Sequence, residues 1–406
     1  MKKNFLVFGF AVPDSELEDI LTNDRFPAIQ THRFNWNLIK SLEARDIFNF
    51  TYISARPVSD YPYFSRKKVK GNSWTVNICN KEINICEIPF LNFGLLKIIS
   101  RFLSAFYYGL KKYKGIDNKG GVIVYSVHVP FMVTGYIISK IFNIDYIGVW
   151  TDMPSVRNSR ESFLKSKLRT AEFLVSKFFM RHASKVIVLT KYLAEDFAPD
   201  RPYLVIEGII DENDIPVTKP EKADGKFTKV LYTGAVSRQY GINNIVEGFN
   251  LIKDEDIVLE IYGCGDYEEE LKHICSLNKR ISFNGFVSNE RVLEIQRGAD
   301  FLINARSDED EYVKYSFPSK TLEYMLSGTP IITTMLPGIP KEYENYVILL
   351  ENNRPETIYK RLKQIMNMPQ QERTEIGRKA EKFARSKRYQ DQGEKINNFL
   401  KNNLKE

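Results

Sequence analysis

The stretch that decides the fold runs from Tyr312 to Thr334 and reads YVKYSFPSKTLEYMLSGTPIITT. Its order of charged loop, helix, turn and apolar strand is that of one crossover in a parallel α/β sheet. Pro318 suits the first helical turn, where a missing N–H costs nothing, and Gly328 ends the helix. Free backbone amides at the helix start, beside Ser319 and Lys320, predict a seat for a diphosphate.

Glu323 lies one turn deeper in the same predicted helix, where its carboxylate can accept hydrogen bonds from ribose hydroxyls. The segment resembles the donor-binding segment of family 4 glycosyltransferases, in which one Glu is followed, after seven residues, by a second. The second Glu matches Glu323, whereas Tyr315 stands in place of the first. The resemblance implies nucleotide binding without the usual contact to the donor sugar. An ordinary βαβ crossover with an exposed Lys and Glu is the alternative.

The composition sets the size class and the classes of partner. A chain of 406 residues is too long for one typical domain and fits two of about 200 residues each. Hydrophobic residues at 43% and charged residues at 27% are typical of a folded globular protein. The net charge of +7 favours phosphate substrates, an anionic membrane or nucleic acid. Nucleic acid is disfavoured because the basic residues do not interleave with aromatic residues on a recognisable module.

The cysteines and the apolar runs indicate the compartment. Cys79, Cys86, Cys264 and Cys275 form no CxxC pair and have no nearby His at ligand spacing, so we expect neither zinc nor a disulfide framework. The short apolar run at the amino terminus soon meets acidic residues, which predicts a buried strand and not a signal peptide. No apolar run reaches about 18 residues, so no transmembrane helix is expected. These features predict a cytoplasmic protein.

Short β-branched and aromatic runs alternate with helical patterns along the chain, which predicts parallel sheets covered on both faces. The first series of runs lies at residues 5–8, 50–53, 122–125, 146–149 and 186–189. The second series lies at residues 230–233, 258–262, 281–283, 301–304, 331–333 and 347–350. We therefore predict an α/β fold with two Rossmann-like domains at 1–206 and 229–385, joined by a linker at 207–228. The resemblance implies that these domains face a cleft, and that residues 386–406 form a helix crossing back to the first domain.

Ligands of open parallel sheets bind outside the carboxyl ends of the strands, so the loops there hold the candidate residues. After the strand at 230–233, Gly234 permits a tight turn and Arg238 can hold a departing diphosphate. Gly263 and Gly265 follow the next strand and resemble the family's Gly-x-Gly turn, where the backbone approaches the nucleotide. By the same resemblance, Phe286 lies against the base. A surface Arg on a connecting loop is the alternative for Arg238.

Two departures from the family pattern concern charge. Tyr240 stands where a Lys commonly grips the diphosphate, and Lys320 can compensate for it. The run Asp308-Glu309-Asp310 is similar to the DxD motif of the other main glycosyltransferase fold, which holds Mn²⁺ through carboxylates. That fold has one nucleotide-binding domain, whereas this chain shows two successive halves. We therefore expect no metal and a solvated acidic loop, with a donor-sugar contact from this loop as the alternative.

The first half is expected to supply the acceptor side. Asp152 follows the strand at 146–149 in a Thr-Asp-x-Pro segment that resembles bacterial polysaccharide glycosyltransferases. Its carboxylate can orient or deprotonate an acceptor hydroxyl; an N-cap before the next helix is the alternative. His128 follows another strand and is the second candidate base, with a packed core histidine as the alternative.

Two segments of the first half, at 90–114 and 161–185, repeat apolar residues at helical spacing with lysines and arginines between them. Such helices can lie on anionic lipid at the inner face of a cell membrane. The alternative for each is a helix that turns its apolar side to the core and its basic side to solvent. A peripheral membrane contact is therefore one expectation for this half of the chain.

Taken together, the resemblance implies a retaining glycosyltransferase of the GT-B fold in bacterial capsule or O-antigen synthesis. It would use a UDP- or GDP-linked sugar, no cofactor, and a saccharide or polyprenyl-diphosphate-linked acceptor. Arg238 and Lys320 would stabilise the leaving diphosphate, Glu323 would hold the ribose, and the acceptor would enter against Asp152. Two alternatives stay open: a nucleotide-sugar 2-epimerase, and a non-catalytic protein that binds nucleotide or a membrane surface.

Overall fold

The computed structural model describes residues 1–154, 163–211 and 227–402, which form two compact units. Unit 1 comprises Met1–Ile209 and Tyr389–Glu406, and unit 2 comprises Ile210–Arg388. The sequence placed the corresponding boundaries at 206/207 and 385/386, a few residues earlier. Of the linker expected at 207–228, residues 212–226 lie outside the described residues.

Unit 1 is built on one large sheet with helices packed on it. Its strands are β1 (Asn4–Gly9), β2 (Asn49–Ser54), β3 (Lys68–Val69), β4 (Asn72–Ile78), β5 (Lys81–Glu87), β6 (Phe90–Leu91), β7 (Lys119–Tyr125), β8 (Asp145–Trp150), β9 (Lys185–Val188) and β10 (Tyr203–Val205). Its helices are α1 (Asp14–Asn23), α2 (Ile29–Glu43), α3 (Gly94–Tyr113), α4 (Val129–Phe142), α5 (Phe163–Arg181), α6 (Lys191–Phe197) and, at the end of the chain, α13 (Tyr389–Lys401).

The strand order of the large sheet is β10-β9-β8-β7-β1-β2-β5-β4. All neighbours are parallel except β4, which forms an antiparallel hairpin with β5. The hairpin turns at Cys79 and Asn80, both at positive φ (52° and 61°). The sequence pattern did not predict this hairpin, because β4 lies at the sheet edge and alternates between exposed and covered residues, unlike the continuous apolar runs of buried parallel strands. The sheet of unit 1 is therefore mixed.

The last helix returns to unit 1, as the resemblance implied. Helix α13 packs against α2, and the two backbones approach so closely that a Cβ on Gly393 would lie 2.3 Å from the carbonyl oxygen of Ser41. Arg45, two residues after the end of α2, forms a salt bridge with Glu394 of α13, with Nη2 and Oε2 2.5 Å apart. This part of the fold prediction is confirmed.

Unit 2 contains a second parallel sheet. Its strands are β11 (Thr228–Ala235), β12 (Ile257–Cys264), β13 (Ile281–Phe283), β14 (Phe301–Asn304), β15 (Ile331–Thr334) and β16 (Ile348–Leu350). Its helices are α7 (Ile242–Asn250), α8 (Glu268–Leu277), α9 (Asn289–Gly298), α10 (Ser319–Ser327), α11 (Pro355–Met366) and α12 (Gln370–Arg385). The strand order β13-β12-β11-β14-β15-β16 reverses direction between β11 and β14. In such sheets, ligands bind outside the carboxyl ends of the strands at this reversal.

Helix α3 corrects one expectation about the basic segments. Five of its residues recur every fourth position and are buried: Lys97, Arg101, Ala105, Gly109 and Tyr113. The lysine and arginine of this stripe face the core, whereas Leu95 and its apolar neighbours face solvent. A helix with its apolar side in the core and its basic side in solvent was therefore the wrong alternative for the segment at 90–114. For the segment at 161–185, the structure describes α5 from Phe163, and it exposes Leu174 and Phe178.

Candidate functional site

The Gly234 turn and the Lys320 side chain meet at the strand reversal of unit 2. Gly234 is the next-to-last residue of β11 and has φ +155°, and a Cβ there would lie 2.5 Å from Cε and 2.8 Å from Nζ of Lys320. Helix α10 begins at Ser319, so Pro318 is the N-cap residue in an extended conformation and not part of the first turn. Burial lowers the pKa of Lys320, and the nearby Glu323 carboxylate acts in the opposite direction. The Lys320 side chain therefore lies against the Gly234 backbone and is only partly exposed to solvent.

A buried polar network fixes Glu323 on the same helix. The side chain of Gln296 donates from Nε2 to Glu323 Oε1 at 2.7 Å and to Thr233 Oγ1 at 3.0 Å. Thr233 is held in turn by Tyr324, whose hydroxyl donates to the Thr233 carbonyl oxygen at 2.9 Å. Gln296, Thr233 and Tyr324 are buried, while Glu323 is half-buried. The sequence analysis did not identify Gln296, because its role depends on groups distant in the chain.

The glycines at the carboxyl ends of β11 and β12 allow the two backbones to approach closely. A Cβ on Gly263, which has φ +142°, would lie 1.7 Å from the carbonyl oxygen of Gly234. A Cβ on Gly265 would lie 2.1 Å from the carbonyl oxygen of Val236. Only glycine fits such approaches. Gly234, Gly263, Gly265 and Lys320 are therefore brought together around the carboxyl ends of β11 and β12.

Arg238 lies in the loop after β11, but its guanidinium is engaged within unit 2. It forms an ion pair with Glu270 of α8 and lies over the Tyr267 ring, with Cζ 4.8 Å from the ring centroid. The hydrogen bond with Glu270 raises the pKa of Arg238. Both partners of the ion pair are exposed, so water competes for it and the arginine is free to exchange partners at low cost. Its role in holding a diphosphate stays a prediction.

The other candidates of unit 2 are on the surface or in the core. Ser319 is exposed at the start of α10, and Phe286 is 76% exposed after β13. Tyr315, in the position where the family carries its first Glu, is buried. The acidic residues from Asp308 to Asp310 are exposed, in line with a solvated loop. Among the described residues, no cluster of His, Cys, Asp or Glu could hold a metal ion.

In unit 1, His128 lies at the strand reversal between β1 and β7. Its ring makes edge contacts with Phe10 and Phe131, at centroid distances of 5.0 and 4.9 Å. Burial lowers its pKa well below the ordinary value, and the charges of Arg101 and Lys97 act in the same direction. Its Nε2 is buried without a hydrogen-bond partner among the described residues. The histidine is therefore neutral and packed, and Nε2 keeps an unused lone pair or proton.

Asp152 follows β8, the strand next to β7, so it shares the carboxyl edge of the sheet with His128. Its carboxylate is exposed and accepts a hydrogen bond from Thr151 Oγ1 at 2.9 Å. Residues 155–162, which connect it to α5, lie outside the described residues. An exposed carboxylate at the carboxyl end of a parallel strand is able to accept a proton from a bound hydroxyl group.

Comparisons with solved structures identify the class of fold. The chain has the fold of sucrose-phosphate synthase from Thermosynechococcus elongatus, with a TM-score of 0.67, 13% identity and 98% of each chain covered. Anabaena HepE in complex with UDP also has this fold, with a TM-score of 0.61 and 15% identity over 99% of this chain and 100% of that chain. The protein therefore has the GT-B fold of two Rossmann-like domains, as predicted.

The family assignment rests on unit 2. Residues 216–383 match the family described as Glycosyl transferases group 1. Mannosylfructose-phosphate synthase from Agrobacterium fabrum is 24% identical over 227 residues, which are 48% of this chain and 47% of that protein. The chain thus spans about half the length of the curated relatives it matches. The match of residues 216–383 confirms the resemblance to glycosyltransferase enzymes that the Tyr312–Thr334 segment suggested.

Proposed function

We propose that the protein moves a sugar from a nucleoside diphosphate donor to a saccharide hydroxyl with retention of anomeric configuration. The observation that carries the proposal is the contact between the Lys320 side chain and the Gly234 turn at the strand reversal of unit 2. A partly desolvated ammonium beside a helix amino terminus attracts a diphosphate strongly, because both its charge and the free amides favour an anion. The match of residues 216–383 to the glycosyl transferase family supports the same assignment.

In the proposed reaction, the bond between the anomeric carbon and the β-phosphate oxygen breaks, and the electron pair leaves with the nucleoside diphosphate. Lys320 stabilises the charge that develops on this leaving group. Arg238 joins it by exchanging Glu270 for the diphosphate, and Ser319 offers its backbone amide. The acceptor oxygen bonds to the anomeric carbon on the same face, and its proton passes to Asp152 or to the leaving phosphate. Glu323 accepts the ribose hydroxyls, and Phe286 lies against the base.

The donor and the acceptor are assigned by chemistry and by likeness. HepE is described in complex with UDP, so UDP is the first nucleotide to test and GDP the second. We assign the acceptor, a saccharide carried on polyprenyl diphosphate, to unit 1, where His128 and Asp152 follow neighbouring strands. The setting proposed is bacterial capsule or O-antigen synthesis in the cytoplasm, at the inner face of the cell membrane. Within the described residues no helix is long and apolar enough to span a membrane.

Thermal shift of the purified protein with UDP, GDP, ADP, CMP and NAD tests the donor site. A ligand at a hundred times its dissociation constant adds about 2.7 kcal/mol to the free energy of unfolding. We expect one nucleoside diphosphate to stabilise the wild type and to lose that effect in Lys320→Met and Glu323→Gln. Lys272→Met, which changes an exposed lysine of the same unit, is the matched control. A response to NAD alone, or to none of the five, would refute the donor assignment.

Product analysis tests the reaction itself. Incubation with the matching nucleotide sugar and a polyprenyl-diphosphate saccharide should give a glycoside whose anomeric configuration equals that of the donor. Asp152→Asn should bind the nucleotide normally but lose transfer by about a hundredfold, the contribution expected of a general base. An altered free nucleotide sugar without any glycoside would instead establish an epimerase.

A further inference from the structure

Helix α3 has two stripes of opposite character on opposite sides. The outer stripe repeats every fourth residue and is exposed: Leu95, Ile99, Leu103 and Tyr107. The buried inner stripe starts two residues later at Lys97, and two residues rotate a helix by about 200°, so the stripes face opposite directions. Leu95, Leu103 and Tyr107 are 61%, 58% and 57% exposed. The solvent side of this helix is therefore its apolar side.

The rotation of α3 is fixed by polar contacts on its inner side. Lys97 Nζ donates to the carbonyl oxygen of Val58 and to Asp60 Oδ1, both at 2.7 Å. Arg101 Nη2 donates to the carbonyl oxygen of Arg56 at 2.9 Å, and its guanidinium lies 4.1 Å from the centroid of the Phe90 ring. If α3 rotated to bury its leucines, the Lys97 and Arg101 side chains would move into solvent and lose these hydrogen bonds. The exposed apolar stripe is thus built into the fold.

Helix α5 extends the same surface. Helix α4 packs between α3 and α5, so the three helices form one layer on the sheet of unit 1. Helix α5 turns Leu168, Leu174, Val175 and Phe178 outward, and Phe178 is 50% exposed. We name the exposed apolar residues of α3 and α5, with the lysines and arginines among them, the α3–α5 face. Large exposed apolar patches of this kind mark interaction sites.

The charge of the layer identifies the kind of partner. Among the described side chains of α3, α4 and α5, seven basic residues and one acidic residue, Glu172, are exposed or half-exposed. The basic residues are Lys111, Lys112, Lys140, Lys167, Arg169, Lys177 and Arg181, whereas Lys97 and Arg101 are buried on the inner side of α3 and add nothing to the outer charge. Two copies of this basic face would repel each other. A negatively charged surface with an apolar interior would complement both the basic residues and the exposed leucines.

We propose that the α3–α5 face binds the surface of an anionic phospholipid bilayer. Leu95, Ile99 and Leu103 enter the boundary between headgroups and acyl chains, as the apolar side of an interfacial helix does. Tyr107 and Lys111 lie at the end of the stripe, where an amphipathic ring and a long cationic side chain reach the headgroups. The inference goes beyond the proposed reaction, because it concerns a surface of unit 1 and needs no donor.

Vesicle co-sedimentation without nucleotide tests the proposal. The wild type should bind vesicles of mixed phosphatidylglycerol and phosphatidylcholine, and bind pure phosphatidylcholine much more weakly. The double variant Leu95→Ser/Leu103→Ser should lose about tenfold in partitioning, because two leucines no longer enter the boundary. Lys111→Gln/Lys112→Gln should lose a similar factor on anionic vesicles only. Leu21→Ser, which changes an exposed leucine of α1, is the matched control and should bind as the wild type does.

Two results would overturn the proposal. One is equal binding of the wild type and Leu95→Ser/Leu103→Ser, or no binding by either. The other is a wild type that is dimeric in solution and becomes monomeric in the same variant, since a second copy would then cover the face. Nucleotide-induced thermal shift in these variants should equal that of the wild type. That control distinguishes a loss of membrane binding by the α3–α5 face from a loss of nucleotide binding at the donor site.

Discussion

The Lys320 ammonium lies against the backbone of Gly234, so closely that a Cβ there would come within 2.8 Å of Nζ. One residue comes from the strand on one side of the reversal in unit 2, and the other comes from the helix that follows the strand on the opposite side. A glycine and a lysine that are 86 positions apart in the chain therefore define one charged point beside the start of α10. A side chain at position 234 would collide with the Lys320 side chain, so this close approach needs a glycine.

Removing the Lys320 charge should stabilise the protein while it destroys nucleotide binding. Burial disfavours the ammonium, and no acceptor in the described residues compensates fully, so the folded protein carries a desolvation cost. We expect Lys320→Met to raise the free energy of unfolding by about 1 kcal/mol, measured by urea denaturation without ligand. Lys272→Met should leave it within about 0.5 kcal/mol of the wild type. A destabilised Lys320→Met protein would mean that the lysine is a structural residue.

The Gly263 turn should tolerate no side chain. Its φ of +142° and the 1.7 Å approach of a Cβ to the Gly234 carbonyl oxygen require a backbone shift in Gly263→Ala. We expect a loss of about 3 kcal/mol or more in stability. Gly285→Ala is the comparison, because Gly285 has a positive φ of 68° but no atom within 4 Å of an added Cβ. It should cost about 1 kcal/mol, and equal losses would contradict the steric explanation.

Acid should destabilise unit 1 through His128. Its pKa is lowered in the folded state, so below the ordinary value of 6.5 the unfolded chain binds a proton that the folded chain does not. The contribution of neutral His128 to the free energy of unfolding is therefore complete above pH 6.5. It decreases as the pH falls below 6.5, by up to about 1.4 kcal/mol per pH unit. His128→Phe should flatten this dependence between pH 6.5 and 5, measured by denaturation at each pH. His32, whose pKa burial also lowers, adds a part that the variant should retain.

The sequence predicted the parallel framework because buried strands carry their own signal. The apolar runs at 281–283 and 301–304 coincide with β13 and β14, whereas Gly234 and Gly263, expected in turns, lie in the last residues of β11 and β12. What escaped prediction depends on contacts between distant residues. Lys97 and Arg101 are buried because carbonyl oxygens 39 and 45 positions away accept from them. No local pattern distinguishes such cations from solvated ones.

Gln296 is the sharpest case, and it yields the final prediction. It touches Thr233 and Glu323, which are 63 and 27 positions away, and it is fully buried on α9, so no local sequence pattern predicts its role. If Glu323 holds the ribose, Gln296→Leu should weaken nucleoside diphosphate binding about tenfold, because the carboxylate loses the donor that orients it.

Inorganic pyrophosphate supplies the control for this positioning role. We expect pyrophosphate to contact Lys320, and it has no ribose, so Gln296→Leu should leave its dissociation constant unchanged in calorimetric titration. Lys320→Met should weaken both ligands. A Gln296→Leu protein that loses pyrophosphate as well would show that the substitution disturbs the whole carboxyl edge of β11, since the buried leucine would then displace Thr233 and the Gly234 turn beside it. A selective loss of the nucleotide locates the ribose at Glu323.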